Sequence, residues 1–104
     1  MTHATQETSI EAYYSIEDLG AKQKVVLEAF VKVGAMTNRE LAAYLGWPIN
    51  TSVPRVNELT KMGFIIAFGT KFDIVTKRRA IIWNVSEKIR QLNLFDIDKL
   101  NRLG

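Results

Sequence analysis

Side chains that present two adjacent hydrogen-bonding groups are concentrated in one short stretch of the chain. The stretch contains Asn50, Thr51, Arg55, Asn57 and Lys61. An arginine guanidinium can donate two hydrogen bonds to the edge of a guanine, and an asparagine amide can pair in a similar two-pronged way with an adenine. Thr51 and Lys61 add a hydroxyl and a positive charge beside these groups. The stretch therefore predicts a surface that reads the base edges of a nucleic acid.

A second group of candidate residues is cationic. It consists of Lys71, Lys77, Arg78 and Arg79. A cluster of this kind can contact phosphates or lie along a minor groove. Asp73 lies within it and makes it less basic, and Arg39, upstream, is a further candidate for a phosphate contact. Two ordinary alternatives stay open: the cluster can be solvated surface charge, and Arg55 can pair with Glu58 three residues on.

Two helices are predicted upstream of these residues. Apolar residues recur at three- and four-residue steps from Lys22 to Val33, which predicts a helix that ends at Gly34. Thr37 and Glu40 have the spacing of a capping box, in which each side chain bonds the backbone amide of the other residue. A short second helix is therefore expected to begin there and to end at Gly46.

The base-reading stretch falls on a third helix. The segment Trp47-Pro48-Ile49 is expected to lie outside it, because the residue before a proline avoids helical geometry. Asn50 or Thr51 is expected to cap the helix, with Pro54 in or next to its first turn. Gly63 is expected to end it. The residues predicted to face inward are Val53, Val56, Leu59 and Thr60.

Alternating apolar residues then predict a β-hairpin. Phe64, Ile66 and Phe68 indicate a first strand, and residues 79–85 indicate a second, with Trp83 in the core. The polar and basic residues 69–79 are expected to form a long loop between the strands. One or two short helices are expected in the tail that follows.

The order of helix, short helix, turn, helix and hairpin is typical of a helix-turn-helix followed by a wing. The segments MTNRELAAYLG, TSVPRVNELTKMGFI and RRAIIWNV resemble the winged helix-turn-helix DNA-binding superfamily, which is MarR-like in this form. They are most similar to the small winged-helix proteins of bacteriophages and prophages. The resemblance implies an α+β fold: a three-helix core with a C-terminal β-hairpin wing, plus extra N- and C-terminal helical segments.

The resemblance also implies a function. We expect sequence-specific binding of double-stranded DNA, with a recognition helix at residues 50–62 in the major groove and the basic wing on the backbone or minor groove. A phage or bacterial transcriptional regulator is the expected role. The alternative is a protein-interaction adaptor in a phage replication or packaging assembly, because winged helices also serve as docking modules.

The charge of the chain divides it into three parts. Residues 1–19 form an acidic leader with a possible extra helix, residues 20–85 the winged helix-turn-helix domain, and residues 86–104 a helical tail. The first 20 residues carry four acidic side chains and no lysine or arginine, whereas the remainder carries all 14 basic residues and seven acidic ones. A basic body suits a polyanionic partner.

Composition limits the other classes of function. There is no cysteine, and His3 is the only histidine, so thiolate chemistry and His-based acid–base catalysis lack their residues. We therefore expect no enzyme activity, no metal, no cofactor and no small-molecule ligand. No apolar run approaches the roughly 20 residues of a membrane span, and no secretion signal is present, so a cytoplasmic protein is expected.

A homodimer on a palindromic site is expected, because a single small module gives modest affinity. The candidate dimer surfaces are the apolar stripes of residues 10–19 and 89–103. Burial of both stripes within one monomer is the alternative.

Overall fold

The structure of the protein, a computed structural model, describes residues 16–91. Residues 16–18 are helical. Six helices and strands follow in the described part of the chain. They are α1 (Ala21–Val33), α2 (Asn38–Leu45), α3 (Ile49–Lys61), β1 (Ile65–Asp73), β2 (Arg78–Val85) and α4 (Glu87–Arg90). The two strands pair antiparallel as one hairpin. Three helices followed by a hairpin confirm the predicted α+β winged architecture.

The core lies between the three helices and the base of the hairpin. Its largest fully buried side chains are Val26, Phe30, Leu41, Val56, Leu59, Ile65 and Ile89. On α3 the buried stripe is formed by Ser52, Val56 and Leu59. Val53 and Thr60, both predicted to face inward, are only half-buried at the margins of this stripe. The buried Ser52 hydroxyl donates a hydrogen bond to the Ile49 carbonyl oxygen at 3.3 Å, which removes much of the penalty of burying it.

The predicted capping box at the start of α2 is present. The Glu40 amide donates to the Thr37 hydroxyl at 3.2 Å, and the Thr37 amide donates to a Glu40 carboxylate oxygen at 2.9 Å. Gly46 ends the helix in the left-handed conformation, at φ 71°, which glycine reaches without steric strain. The chain can therefore turn sharply, and α3 begins only three residues later.

The predicted start of α3 is wrong by two to three residues. The helix begins at Ile49, with Pro48 in the N-cap position, so neither Asn50 nor Thr51 is the cap. Pro54 consequently lies inside the helix, where it has no amide to donate to the Asn50 carbonyl. Asn50 is exposed, so water can take that hydrogen bond, and this reduces the penalty of the internal proline.

The hairpin is longer than predicted, and its loop is shorter. Residues 69–73 pair with residues 78–82, which leaves a turn of only four residues, 74–77. The register shifts between Ala67 and Gly69, so Phe68 is an inserted bulge residue. Gly69 at φ 135° makes this bulge possible. Past the bulge, β1 consists of polar residues apart from Phe72, so its sequence shows no apolar alternation there.

The base of the hairpin is tied to the segment before α2. Met36 and Trp83 exchange two backbone hydrogen bonds, of 3.0 and 2.8 Å, as an isolated antiparallel bridge. Trp83 packs against the core, as predicted from its strand position. The bridge fixes where the hairpin leaves the body relative to the start of α2.

The terminal predictions fall largely outside the described residues. Residues 1–15 and 92–104, which include most of both candidate dimer stripes, are among them, and the three-part domain division stays a prediction. Within the described part, Ile16, Leu19 and Ile89 are buried in the core of the same chain. For these three side chains the structure agrees with the alternative, in which the stripes are buried within one monomer.

Candidate nucleic-acid interface

The outer face of α3 is polar and open to solvent. Asn50, Asn57 and Lys61 are exposed, whereas the opposite stripe of the helix is fully buried. The side chains of these three residues form no hydrogen bond or ion pair with any other residue between 16 and 91. Thr51 is half-buried on the same helix. Four of the five predicted base-reading residues thus lie where a ligand can approach them.

Arg55 lies on the flank of α3 and is held by two neighbours. Its Nε and Nη2 atoms donate to the two Glu58 carboxylate oxygens at 2.8 and 2.7 Å. Gln23 of α1 donates its Nε2 to Glu58 Oε1 at 2.7 Å. The Arg55 side chain is only 27% exposed. The Arg55–Glu58 pair, left open as an alternative by the sequence, is therefore present and is anchored to α1.

The hydrogen bonds at Glu58 affect its titration and leave part of Arg55 free. Hydrogen bonding to Arg55, and then to Gln23, holds the pKa of the Glu58 carboxyl below its ordinary value. The carboxylate occupies the Nε–Nη2 side of the guanidinium. A guanidinium has five N–H donors, so the end formed by the two terminal nitrogens keeps a donor on each. That end has the two-pronged geometry that guanine requires.

Two ion pairs connect α2 to the wing, residues 65–85. Arg39 Nε lies 3.0 Å from Asp73 Oδ2, and the Lys71 ammonium contacts the Glu40 carboxylate. Arg39 and Lys71, both predicted as DNA contacts, are therefore paired with acids of the protein itself. An open groove of about 390 Å³ separates α2 from the wing, and both ion pairs lie along it.

Glu40 combines two structural roles. One carboxylate oxygen accepts the Thr37 amide of the capping box, and the other contacts Lys71. Hydrogen bonding to Lys71, and then to the Thr37 backbone, holds the pKa of the Glu40 carboxyl below its ordinary value of 4.5. One side chain thus caps α2 and holds the wing against it.

The turn of the wing, residues 74–77, is closed by Asp73. Its Oδ1 accepts hydrogen bonds from the amides of Val75 and Thr76 at 2.8 and 3.4 Å. Its carbonyl oxygen accepts the Lys77 amide at 2.8 Å, and Lys77 takes the left-handed conformation at φ 62°. Asp73 therefore organises the turn and is neutralised by Arg39.

The remaining wing cations are of two kinds. Arg79 donates to the Thr70 hydroxyl at 2.9 and 3.1 Å and to the Thr70 carbonyl at 3.2 Å, across the hairpin. Lys77 and Arg78 are exposed. Their side chains form no ion pair or hydrogen bond with another residue of the described range 16–91. Of the four predicted wing cations, these two have no side-chain partner in the described range, whereas Arg79 is hydrogen-bonded to the neutral Thr70 and its charge is not compensated.

Some contacts of the candidate residues cannot be predicted from the sequence, whereas others have a local sequence signal. Gln23 lies 35 residues from Glu58, and no local pattern connects them. Glu40 was identified as a cap, but its contact with Lys71 depends on where the hairpin lies. Asp73 is predicted only to weaken the basic cluster, although an Asp side chain can accept a hydrogen bond from the amide two residues on and so form a turn, as it does here.

Other kinds of site find no support in the residues that the structure describes. Between residues 16 and 91, no three side chains of the metal-binding types lie together. No helix in that range is long and apolar enough to cross a membrane.

Solved structures with a similar fold are numerous. RV1404 from Mycobacterium tuberculosis has 17% identity and a TM-score of 0.66, over 93% of this chain and 64% of its own. The transcriptional regulator Tm0710 from Thermotoga maritima has 18% identity and a TM-score of 0.60, over 89% and 63%. Reduced AbfR bound to DNA has 17% identity and a TM-score of 0.62, over 90% and 66%.

These similarities confirm the predicted winged helix-turn-helix fold. The chain spans about two thirds or less of the length of these three proteins. No family model matches the chain, and no curated protein matches it. The narrower resemblance to small phage and prophage proteins stays a prediction.

The double role of Glu40 leads to a prediction about acid stability. A carboxyl whose pKa is lower in the folded protein stabilises the fold above its unfolded pKa, and this contribution disappears as the pH falls through the folded value. Glu40→Gln keeps an acceptor for the Thr37 amide but removes the charge that faces Lys71. We expect the variant to be less stable than wild type at neutral pH and to lose less stability below pH 4.5.

Urea unfolding at neutral pH and at successive lower pH values measures the difference. Glu17→Gln is the matched control, since Glu17 is an exposed carboxylate that forms no ion pair with the wing. If the free energies of unfolding of wild type and Glu40→Gln fell in parallel as the pH was lowered, the Lys71 contact would contribute nothing to stability.

Proposed function

We propose that this protein binds double-stranded DNA sequence-specifically, as a bacterial or phage transcriptional regulator acting in the cytoplasm. The observation that carries the proposal is the exposed row of Asn50, Asn57 and Lys61 on α3, a helix whose other face is wholly buried. A helix presented in this way fits the major groove, and its amide side chains match base edges. The shared fold with a DNA-bound protein and a transcriptional regulator supports the same role.

Arg55 is the residue we assign to guanine. Its guanidinium is pre-oriented by Glu58, which lowers the conformational entropy that binding must remove. The free end of the guanidinium supplies the two donors that the O6 and N7 atoms of guanine accept. Gln23 of α1 binds Glu58, so the Arg55–Glu58 pair is anchored to α1 as well as to α3.

The wing supplies contacts to the DNA backbone. Lys77 and Arg78 are uncompensated within residues 16–91, so contact with phosphate breaks no ion pair there. Arg39, Lys71 and Arg79 hold the wing in place through their contacts with Asp73, Glu40 and Thr70. The ten candidate residues thus divide into ones that face DNA and ones that position the wing.

A second function, the protein-interaction adaptor, is favoured by one observation. Phe68 and Phe72 of β1 are each 53% exposed, and large exposed apolar side chains occur at protein-docking surfaces. The two functions differ in their response to duplex DNA. A regulator retains salt-dependent affinity for random duplex, whereas an adaptor does not.

Selection from a random duplex pool tests the proposal directly. We expect a recovered consensus with two similar half-sites, since closed two-fold dimers are the common arrangement for this class of protein. Titration of the consensus duplex against salt should give affinity that falls linearly on logarithmic axes. Recovery of no consensus, together with no binding to random duplex at moderate salt, would exclude DNA binding and favour the adaptor.

Removal of the Arg55 side chain should change one position of that consensus. We expect Arg55→Ala to weaken binding to the consensus by about 1–3 kcal/mol and to remove a guanine preference at one position per half-site. Lys61→Ala is the control of equal charge, and it should weaken binding evenly across sequences. Glu58→Ala should lower discrimination at the Arg55 position while leaving affinity for random duplex unchanged or higher.

The measurement is competition binding against single-base variants of the consensus. An Arg55→Ala protein with the same base preferences as wild type would remove Arg55 from base recognition. The rest of the α3 surface would then carry the sequence preference.

Neutralising the two free wing cations should lower salt dependence without changing sequence preference. For Lys77→Ala/Arg78→Ala we expect the logarithmic salt slope to fall by about 2, since each phosphate contact contributes roughly 0.9. Arg79→Ala serves as the comparison, because its guanidinium is engaged by Thr70 and its loss should change the slope less. Equal slopes for wild type and the double variant would show that the wing does not contact the backbone.

A further inference from the structure

The turn of the wing carries two apolar side chains that the rest of residues 16–91 leaves mostly uncovered. Ile74 is 75% exposed and Val75 is 69% exposed, the highest values among the large exposed apolar residues between 16 and 91. A single exposed apolar residue is ordinary on a protein surface. Two adjacent ones at the outermost turn of a hairpin add nothing to the core. Their exposure leaves them available for contact with a partner.

The geometry of this pair is fixed by its surroundings. Asp73 binds the Val75 and Thr76 amides from within the turn and binds Arg39 of α2 from outside it. Lys77 takes a left-handed conformation that is uncommon for a residue with a side chain. A conformation of that kind persists only where neighbouring contacts hold it. Ile74 and Val75 are thus presented rigidly, at a set position relative to the helices.

The charge around the pair selects the kind of partner. Lys77 and Arg78 follow directly in the chain and are uncompensated within the described range. Of residues 16–91, two acids lie near the pair. Asp73 is paired with Arg39 and only 13% exposed, and Glu40, which lines the same groove as Ile74 and Val75, is paired with Lys71. The surface that meets this tip must accept apolar groups at its centre and carry negative charge around them. A DNA minor groove between two phosphate ridges has both properties.

We propose that Ile74 and Val75 form an apolar wedge, which enters the minor groove beside the site of α3 and partly unstacks one base step. The proposal rests on the DNA-binding function proposed above and adds a role that cations alone do not supply. Apolar side chains inserted in this way kink the duplex. The cost of unstacking is lowest at flexible pyrimidine–purine steps. The wedge therefore adds a preference for such a step at a position that makes no hydrogen bond to the protein.

The test compares the full chain with Ile74→Ser/Val75→Ser on a duplex recovered by selection from a random pool. Both side chains are exposed, so the substitutions leave the core intact. The matched control is Ile66→Ser, which changes an exposed apolar residue of β1 outside the turn. Energy transfer between dyes at the two duplex ends reports bending, and 2-aminopurine placed at successive steps reports unstacking.

We expect wild type and Ile66→Ser to bend the duplex and to raise 2-aminopurine fluorescence at one step in each half-site. The double variant should lose both signals and bind about tenfold more weakly. Its salt slope should match that of wild type, because no phosphate contact is removed. This combination separates a wedge from a purely cationic wing.

Three results would overturn the wedge. Equal bending and fluorescence for wild type and the double variant would do so while leaving DNA binding by α3 intact. If Ile66→Ser lost bending and fluorescence to the same extent as the double variant, the effect would belong to the apolar surface of the wing in general. Loss of self-association in the double variant, measured by analytical ultracentrifugation without DNA, would assign the tip to an interface between copies. Failure of the wild-type chain to bind any duplex would instead remove the proposed function itself.

Discussion

The packing of one stripe of α3 against α1 and α2 is the constraint on which the other features depend. Ser52, Val56 and Leu59 are completely buried, which fixes the rotation of the helix about its own axis. Since successive helical residues lie about 100° apart, that rotation places Asn50, Asn57 and Lys61 on the far side. It also leaves Arg55 at the flank, within reach of α1. The exposed polar face of α3 is thus a consequence of core packing, and the polar residues themselves do not stabilise it.

The wing depends on a second, electrostatic constraint. Two consecutive residues at the start of α2 bind two alternate residues of β1, through Arg39 with Asp73 and Glu40 with Lys71. Surface ion pairs are weak singly, but here both connect the same helix turn to the same strand. Asp73, which lowers the positive charge of the wing, also closes its turn. The wing therefore projects as one body with the helix pair, and its tip keeps a defined distance from α3.

Features that depend on local chemistry could be predicted from the sequence. Features that depend on contacts between distant segments could not. The capping box of Thr37 and Glu40 and the glycine ends of the helices are local, so they were identified correctly. Residues 70–73 of β1 fall in the predicted loop, because the bulge at Phe68 resets the alternation, whereas β2 begins at Arg78, one residue before its predicted start. The predicted start of α3 is too late, because a proline is expected to exclude its neighbours from a helix, whereas Pro48 occupies the N-cap position. The contact between Gln23 and Glu58 joins two helices, and no single-sequence pattern encodes it.

The division of the cations indicates how such a protein reaches useful affinity. Of the basic candidates, Lys61, Lys77 and Arg78 form no ion pair or hydrogen bond within residues 16–91, although Lys61 interacts with the charge of Glu58. Arg39, Arg55, Lys71 and Arg79 are already engaged. Three phosphate contacts release only about three counterions per copy, which gives weak binding at physiological salt. Pre-orientation of Arg55 and an apolar wedge add affinity without further charge, and both act only on a matching site. Two copies on two half-sites would multiply these terms. Because few of the candidate cations are free, pairing would raise specificity more than non-specific attraction.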